Sequence, residues 1–130
     1  MVRLVLVLAF AAAALASGCA PAIGDGCASA TNCSVNGDRQ CDLTQPGGAC
    51  TVFDCQADQC PDNAVCVRFN PDDPRHSVVA CMKACTDDSS CRGEYECVRA
   101  TDLGIMPDGD DFARVLDVGR GDRSFCIARD

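Results

Sequence analysis

The chain of 130 residues has no tryptophan, one tyrosine, one histidine and one lysine, Lys83. Each scarcity removes a class of function. A lone His76, at the edge of a loop rich in Pro and Asp, leaves no base to set against a nucleophile, so no catalytic residue is assigned and the chain reads as a non-enzyme. With 11 basic against 19 acidic residues and a formal charge of -8, the chain lacks the basic footprint of nucleic-acid binding and the charge needed to adhere to anionic lipid. The glycines are scattered turn residues, and no strand, Gly-rich loop, lysine and helix succeed one another as a phosphate site requires. Close C-x2-C ligand pairs typical of structural zinc are also missing, so no metal or cofactor is expected.

What the chain does have is cysteine: 13 in all. Cys19 stands apart. Ahead of it, Arg3 supplies a positive start, residues 4–15 form an uncharged apolar run, and Ser17-Gly18 supplies the small residues of a cleavage site. This is a secretory leader covering residues 1–18. Its apolar run of about a dozen residues falls short of the ~20 that cross a bilayer as a helix.

Leu15-Ala16-Ser17-Gly18-Cys19 resembles the lipobox of bacterial lipoproteins, with Leu15 one position earlier than the commonest form places it. The resemblance implies cleavage before Cys19 and attachment of lipid to its sulfur. Each buried acyl CH2 contributes about 0.8 kcal/mol, so two or three chains anchor a protein stably where one does not. Ala20, where a retention signal would have Asp, implies delivery to an outer membrane; the alternative is ordinary secretion with Cys19 unmodified. Cleavage there removes Arg3 and leaves the remaining chain one unit more acidic.

The other cysteines are Cys27, Cys33, Cys41, Cys50, Cys55, Cys60, Cys66, Cys81, Cys85, Cys91, Cys97 and Cys126. An even set at this density in an exported chain reads as a full disulfide framework. Each bridge contributes ~2–4 kcal/mol against a total stability of ~5–15 kcal/mol, so sulfur matters more here than a thinly spread apolar core. Twelve cysteines allow roughly ten thousand pairings, and the spacing does not choose among them.

The fold class expected is a small disulfide-rich domain of short β-hairpins and irregular loops, with little helix after the leader. Residues 19–26 read as a short tether and 27–130 as the domain, divisible into modules 27–82 and 81–130. In residues 24–50, Asn36-Gly37-Asp38 and Pro46-Gly47-Gly48 supply tight turns between four cysteines. Asn32-Cys33-Ser34 has the form of a glycosylation acceptor, ordinarily unused in a bacterial lipoprotein.

Residues 64–69 and 76–82 alternate as the arms of a hairpin across residues 70–75. A register opposing Phe69 to Val78 sets Val67 against Ala80 and Val65 against Met82 on one face, and Cys66 against Cys81 on the other. Directly opposed residues lie ~4.5–5.5 Å apart between Cα atoms, so a Cys66–Cys81 bridge is geometrically allowed. Residues 97–99 and 124–127 read as closing strands. Residues 111–118 carry Phe112, Val115 and Leu116 at helical spacing and predict one short helix.

The lipobox, Pro46-Gly47-Gly48-Ala49-Cys50-Thr51, the 60–67 segment Cys-Pro-Asp-Asn-Ala-Val-Cys-Val, and the run from Cys85 to Cys97 together resemble a loosely defined group of cysteine-rich bacterial lipoproteins of the myxobacterial type. That resemblance implies a disulfide-rich envelope domain and carries no activity with it. Cys85-x5-Cys91-x5-Cys97 is also similar to four-disulfide-core protease inhibitors and, distantly, to colipase-like domains, although that inhibitor family has adjacent cysteines where this chain has Cys97-Val98.

The leading expectation is therefore a non-enzymatic, lipid-anchored outer-membrane module whose rigid loops meet a protein or glycan. The alternative is an inhibitor of secreted proteases, entering the cleft of the enzyme through residues 70–77 or 100–122. Three motifs are weaker. The acidic stretches Asp108-Gly109-Asp110-Asp111 and Asp72-Asp73 offer oxygen ligands but no EF-hand, since Phe112 falls where a ligand is required, and they read as solvated loops. Arg120-Gly121-Asp122 spells an integrin-type tripeptide that composition alone explains.

Overall fold

The computed structural model describes residues 20–104 and 111–130. The lipid-attachment candidate Cys19, the leader expected over residues 1–18, and Asp108-Gly109-Asp110 lie outside the described residues.

Three four-cysteine units follow one another. The first opens on a single helical turn, α1 (Ala30–Cys33), whose start is held by Asn32 Oδ1 accepting from the backbone N–H groups of Ala28 at 2.9 Å and Ser29 at 3.0 Å. It then forms the hairpin β1 (Gln40–Asp42) and β2 (Ala49–Thr51). The Pro46-Gly47-Gly48 turn behaves as its residues require: Gly47 and Gly48 have φ of 68° and 65°. At Gly48 a Cβ would lie 2.0 Å from the carbonyl oxygen of Cys27, so glycine is needed for close approach as well as for φ.

The second unit is built on β3 (Ala64–Phe69) and β4 (Val78–Lys83), paired in the expected register, Phe69 to Val78 and Cys66 to Cys81. Asn70, at φ 48°, turns the corner and its side-chain amide donates to the His76 carbonyl at 3.2 Å.

The third unit pairs β5 (Tyr95–Val98) with β7 (Phe125–Ala128), the two closing strands expected. Between them lies β6 (Ala113–Val115), which joins the free edge of β3 to give the order β4-β3-β6. The short helix expected over 111–118 is absent and a strand stands there instead. Its burial alternates with period two, Ala113, Val115 and Asp117 inward and Phe112 and Arg114 outward, because β3 offers an unpaired edge that this segment completes. Leu116 N–H extends the ladder to the Cys66 carbonyl at 2.8 Å.

With a partner on each edge and a cluster on each face, β3 is the centre of the molecule. On one face Val65 and Val67 pack with Ala100, Ala113, Val115 and Phe125. On the other, Ala64, Cys66 and Cys81 pack with Cys55 and Ile23. That is why residues 64–67 are all buried although a hairpin with one wet face would alternate.

The six disulfides are Cys27–Cys41, Cys33–Cys50, Cys55–Cys66, Cys60–Cys81, Cys85–Cys97 and Cys91–Cys126. Within each unit the first cysteine bonds the third and the second bonds the fourth. In all three, the third and fourth face each other across a hairpin: Cys41 and Cys50, Cys66 and Cys81, Cys97 and Cys126. The Cys66–Cys81 bridge that the register allows is therefore not formed. Cys55 and Cys60, arriving from the preceding loop, take those two sulfurs instead, and the crossed pair fastens the loop to both strands where a cross-strand bond would leave it loose. All bonds fall within residues 27–82 or 81–130, and those of 27–82 separate further into two groups.

Candidate functional site

The sulfurs of Cys27, Cys33 and Cys41 lie within 4.8 Å of one another, as do those of Cys55, Cys60 and Cys66, and those of Cys85, Cys91 and Cys97. Three such nodes could be mistaken for metal centres. Every one of these sulfurs is in a disulfide, and a metal ligand or nucleophile must be a thiolate. The nodes are structural cross-links.

Where the units meet, a cleft of about 540 Å³ opens, with walls from all three. Phe53, Phe69, Met82, Leu103 and Ile127 give it apolar lining, and Asp42, Lys83, Arg92, Glu96 and Asp130 give it charges of both signs. Val78 and Phe112, which are 48% and 40% exposed, lie along it. Phe69 meets Phe112 and Phe125 edge to face, at ring-centre distances of 6.4 and 6.2 Å, which sets the aromatic part of the wall.

A clamp between the first and third units lies in the cleft wall. Arg92 lies 4.6 Å over the Tyr95 ring and donates to the Gly48 carbonyl at 2.6 Å and to the Tyr95 hydroxyl at 2.9 Å. The Tyr95 hydroxyl donates in turn to the Pro46 carbonyl at 2.9 Å. Burial pushes the Tyr95 phenol up, so it stays protonated and keeps donating. Gly26 and Gly47 leave room for the guanidinium: a Cβ there would lie 2.9 and 3.2 Å from Arg92 Nη1.

A second tie joins the second and third units. The Asp117 carboxylate, 5% exposed, accepts from the backbone N–H of Asp58 at 2.8 Å and of Cys66 at 3.2 Å. Neither Arg92 nor Asp117 stands out in the sequence by its role. The period-two pattern from Ala113 onward, once seen, does place Asp117 inward.

The other sequence candidates are not brought together. His76 Nδ1 lies 2.6 Å from Asp73 Oδ2 in an exposed loop, and that bond holds the Asp73 carboxyl below its ordinary range. Asp72 and Asp111 both approach Arg114, at 3.9 and 2.8 Å, so these acids face a cation of the chain itself. Arg120 and Gly121 are exposed, and Asp122 follows them in the same turn.

These features define a small, disulfide-rich module of three crossed-disulfide hairpins, built for an oxidising, extracytoplasmic space. Among the described residues no helix is long and apolar enough to cross a membrane. No family model, no curated protein and no solved structure matches the chain.

Proposed function

We propose that this is a non-enzymatic, lipid-anchored protein of the bacterial cell envelope, held at an outer membrane through Cys19, whose cross-linked body presents a binding surface to a protein or glycan. The single observation that carries the binding reading is the cleft shared by three separately cross-linked units. Its walls are held by disulfides and by the Arg92 clamp, so an extended apolar and mixed-charge surface is already ordered before any partner arrives. The lipobox supports the anchor, and the crossed disulfides support export.

The test is the intact mass of the protein extracted from its native membrane, with thiol alkylation before and after reduction. The expected result is a lipid adduct on Cys19, no free thiol before reduction and twelve after it. An unmodified Cys19 would sink the anchor, and thiols free before reduction would reopen cysteine chemistry. Inhibition of any member of a panel of secreted proteases by micromolar protein would instead favour the inhibitor reading.

A further inference from the structure

The lipid-anchor reading places an acyl group on Cys19, and the structure shows what happens to the chain directly after it. Residues 22–25 are part of the body. Ile23 is 1% exposed and packs with Cys55, Ala64, Cys66 and Cys81. Ala22 and Asp25 close a turn, the Asp25 N–H donating to the Ala22 carbonyl at 3.1 Å and the Ala22 N–H to Asp25 Oδ2 at 2.8 Å. Gly24, at φ 88°, donates to the Cys50 carbonyl at 2.8 Å, and a Cβ on it would lie 2.7 Å from Lys83 Cβ. Even the Pro21 carbonyl is taken, by the Arg39 guanidinium.

Only Ala20 separates Cys19 from this fixed structure. Two residues of fully extended chain reach roughly 7 Å, against a body whose radius of gyration is about 13 Å for this length. A lipid on Cys19 thus leaves the body no room to stand away from the headgroups. Arg39, which grips Pro21, ends the loop of residues 34–39, and that loop carries Val35, 93% exposed and the most exposed large apolar side chain of the described residues. The loop is stiffened from within: Ser34 Oγ donates to Asp38, and the Asn36 N–H donates to Ser34 Oγ at 3.2 Å.

We propose that the acylated protein rests directly on the lipid headgroups, with Val35 and the loop of residues 34–39 at the contact. The inference rests on the lipid-anchor reading above. The partner surface is the headgroup layer itself, and the contact is imposed by the length of the leash. The cleaved chain, one unit more acidic than the -8 of the full sequence, gains nothing from anionic lipid, so the contact forms on zwitterionic vesicles and is insensitive to salt there.

The chain has no tryptophan, so V35W introduces a single reporter without adding a thiol. The acylated V35W protein, its mass verified, is reconstituted into phosphatidylcholine vesicles containing headgroup spin-labelled lipid. Its partner variant carries in addition an insertion of about twelve Gly and Ser residues between Ala20 and Pro21, a span of roughly 20 Å. The expected result is loss of most of the emission with the native leash and its recovery with the insertion. Equal emission from both, with Cys19 acylated, overturns this inference and leaves the anchor standing. An unmodified Cys19 overturns both. Neutron reflectometry of the unsubstituted protein needs no variant: protein density starting at the headgroups is expected, and a water layer between the two overturns the contact.

Discussion

Cys66 and Cys81 stand directly opposite each other on β3 and β4, yet Cys66 is bonded to Cys55 and Cys81 to Cys60. The same displacement occurs at Cys41 with Cys50 and at Cys97 with Cys126. Crossing the bonds ties four points of chain into one node and closes loops of 11 and 21 residues in the second unit.

Non-reducing peptide mapping is expected to recover Cys55 linked to Cys66 and Cys60 linked to Cys81, with no Cys66–Cys81 peptide. Replacing Cys55 and Cys66 together by Ala should lower stability by about 2–4 kcal/mol in a urea titration. A Cys66–Cys81 linkage in the native protein would overturn the crossed pattern.

Gly48→Ala is expected to be among the most damaging single changes. The added Cβ meets backbone, the Cys27 carbonyl at 2.0 Å, and backbone cannot rotate away as a side chain can. A loss of about 3 kcal/mol or more in unfolding free energy, read from a denaturant titration, is expected, where ordinary substitutions cost about 0.5–3 kcal/mol. Gly37→Ala, with nothing within 4 Å of the new Cβ, should cost less although its φ of 78° is also positive.

Asp117→Ala removes a buried acceptor from two N–H groups, at Asp58 and Cys66. The expected cost is about 1–3 kcal/mol, with faster hydrogen exchange at those two amides. Unchanged exchange at both would show that the carboxylate does not tie the second unit to the third.

Tyr95 is the sole tyrosine in a chain without tryptophan, so its phenolate absorbance reports one group. Burial raises its folded value, so the folded state holds this proton more tightly than the unfolded chain, where the ordinary value is ~10. Its contribution is therefore complete below pH ~10 and is lost as pH rises through the folded value. The titration midpoint should fall above 10 in the native protein and return to the ordinary value in urea. Arg92→Ala, which removes the stacked cation and its bonds to Gly48 and Tyr95, should lower the thermal midpoint.

At the acid end, Asp73 and Asp87 are held below the ordinary carboxyl range, the first mainly by the His76 side chain and the second mainly by the Ser89 hydroxyl. A depressed folded value means a contribution present above the unfolded pKa of ~3.9 and lost as pH falls through the folded one. Carboxyl NMR titrations should place both below the ordinary value, and His76→Ala should return Asp73 toward it without moving Asp87.

The strand signal of residues 64–69 and 78–82 was legible in the sequence because alternation and turn residues are local properties, and the structure adopts the register that opposes Phe69 to Val78. The turns at Asn36-Gly37 and Pro46-Gly47-Gly48 were legible for the same reason. Residues 111–118 misled because Phe112, Val115 and Leu116 fit a helical face equally well, and only the empty edge of β3 decides for a strand. The cleft and its clamp were not legible at all, since Arg92 reaches Pro46 and Gly48 across more than forty residues.

By itself, then, the sequence determined a small cysteine-rich domain, the central hairpin, the two closing strands and the turns, all consequences of residue types a few positions apart. The tertiary structure alone decided which sulfurs bond, that Ile23 is buried beside the Cys55–Cys66 bridge, and that three units share one cleft. Disulfide partners and shared walls depend on distances in space between points far apart along the chain, and those distances exist only once the hairpins have packed.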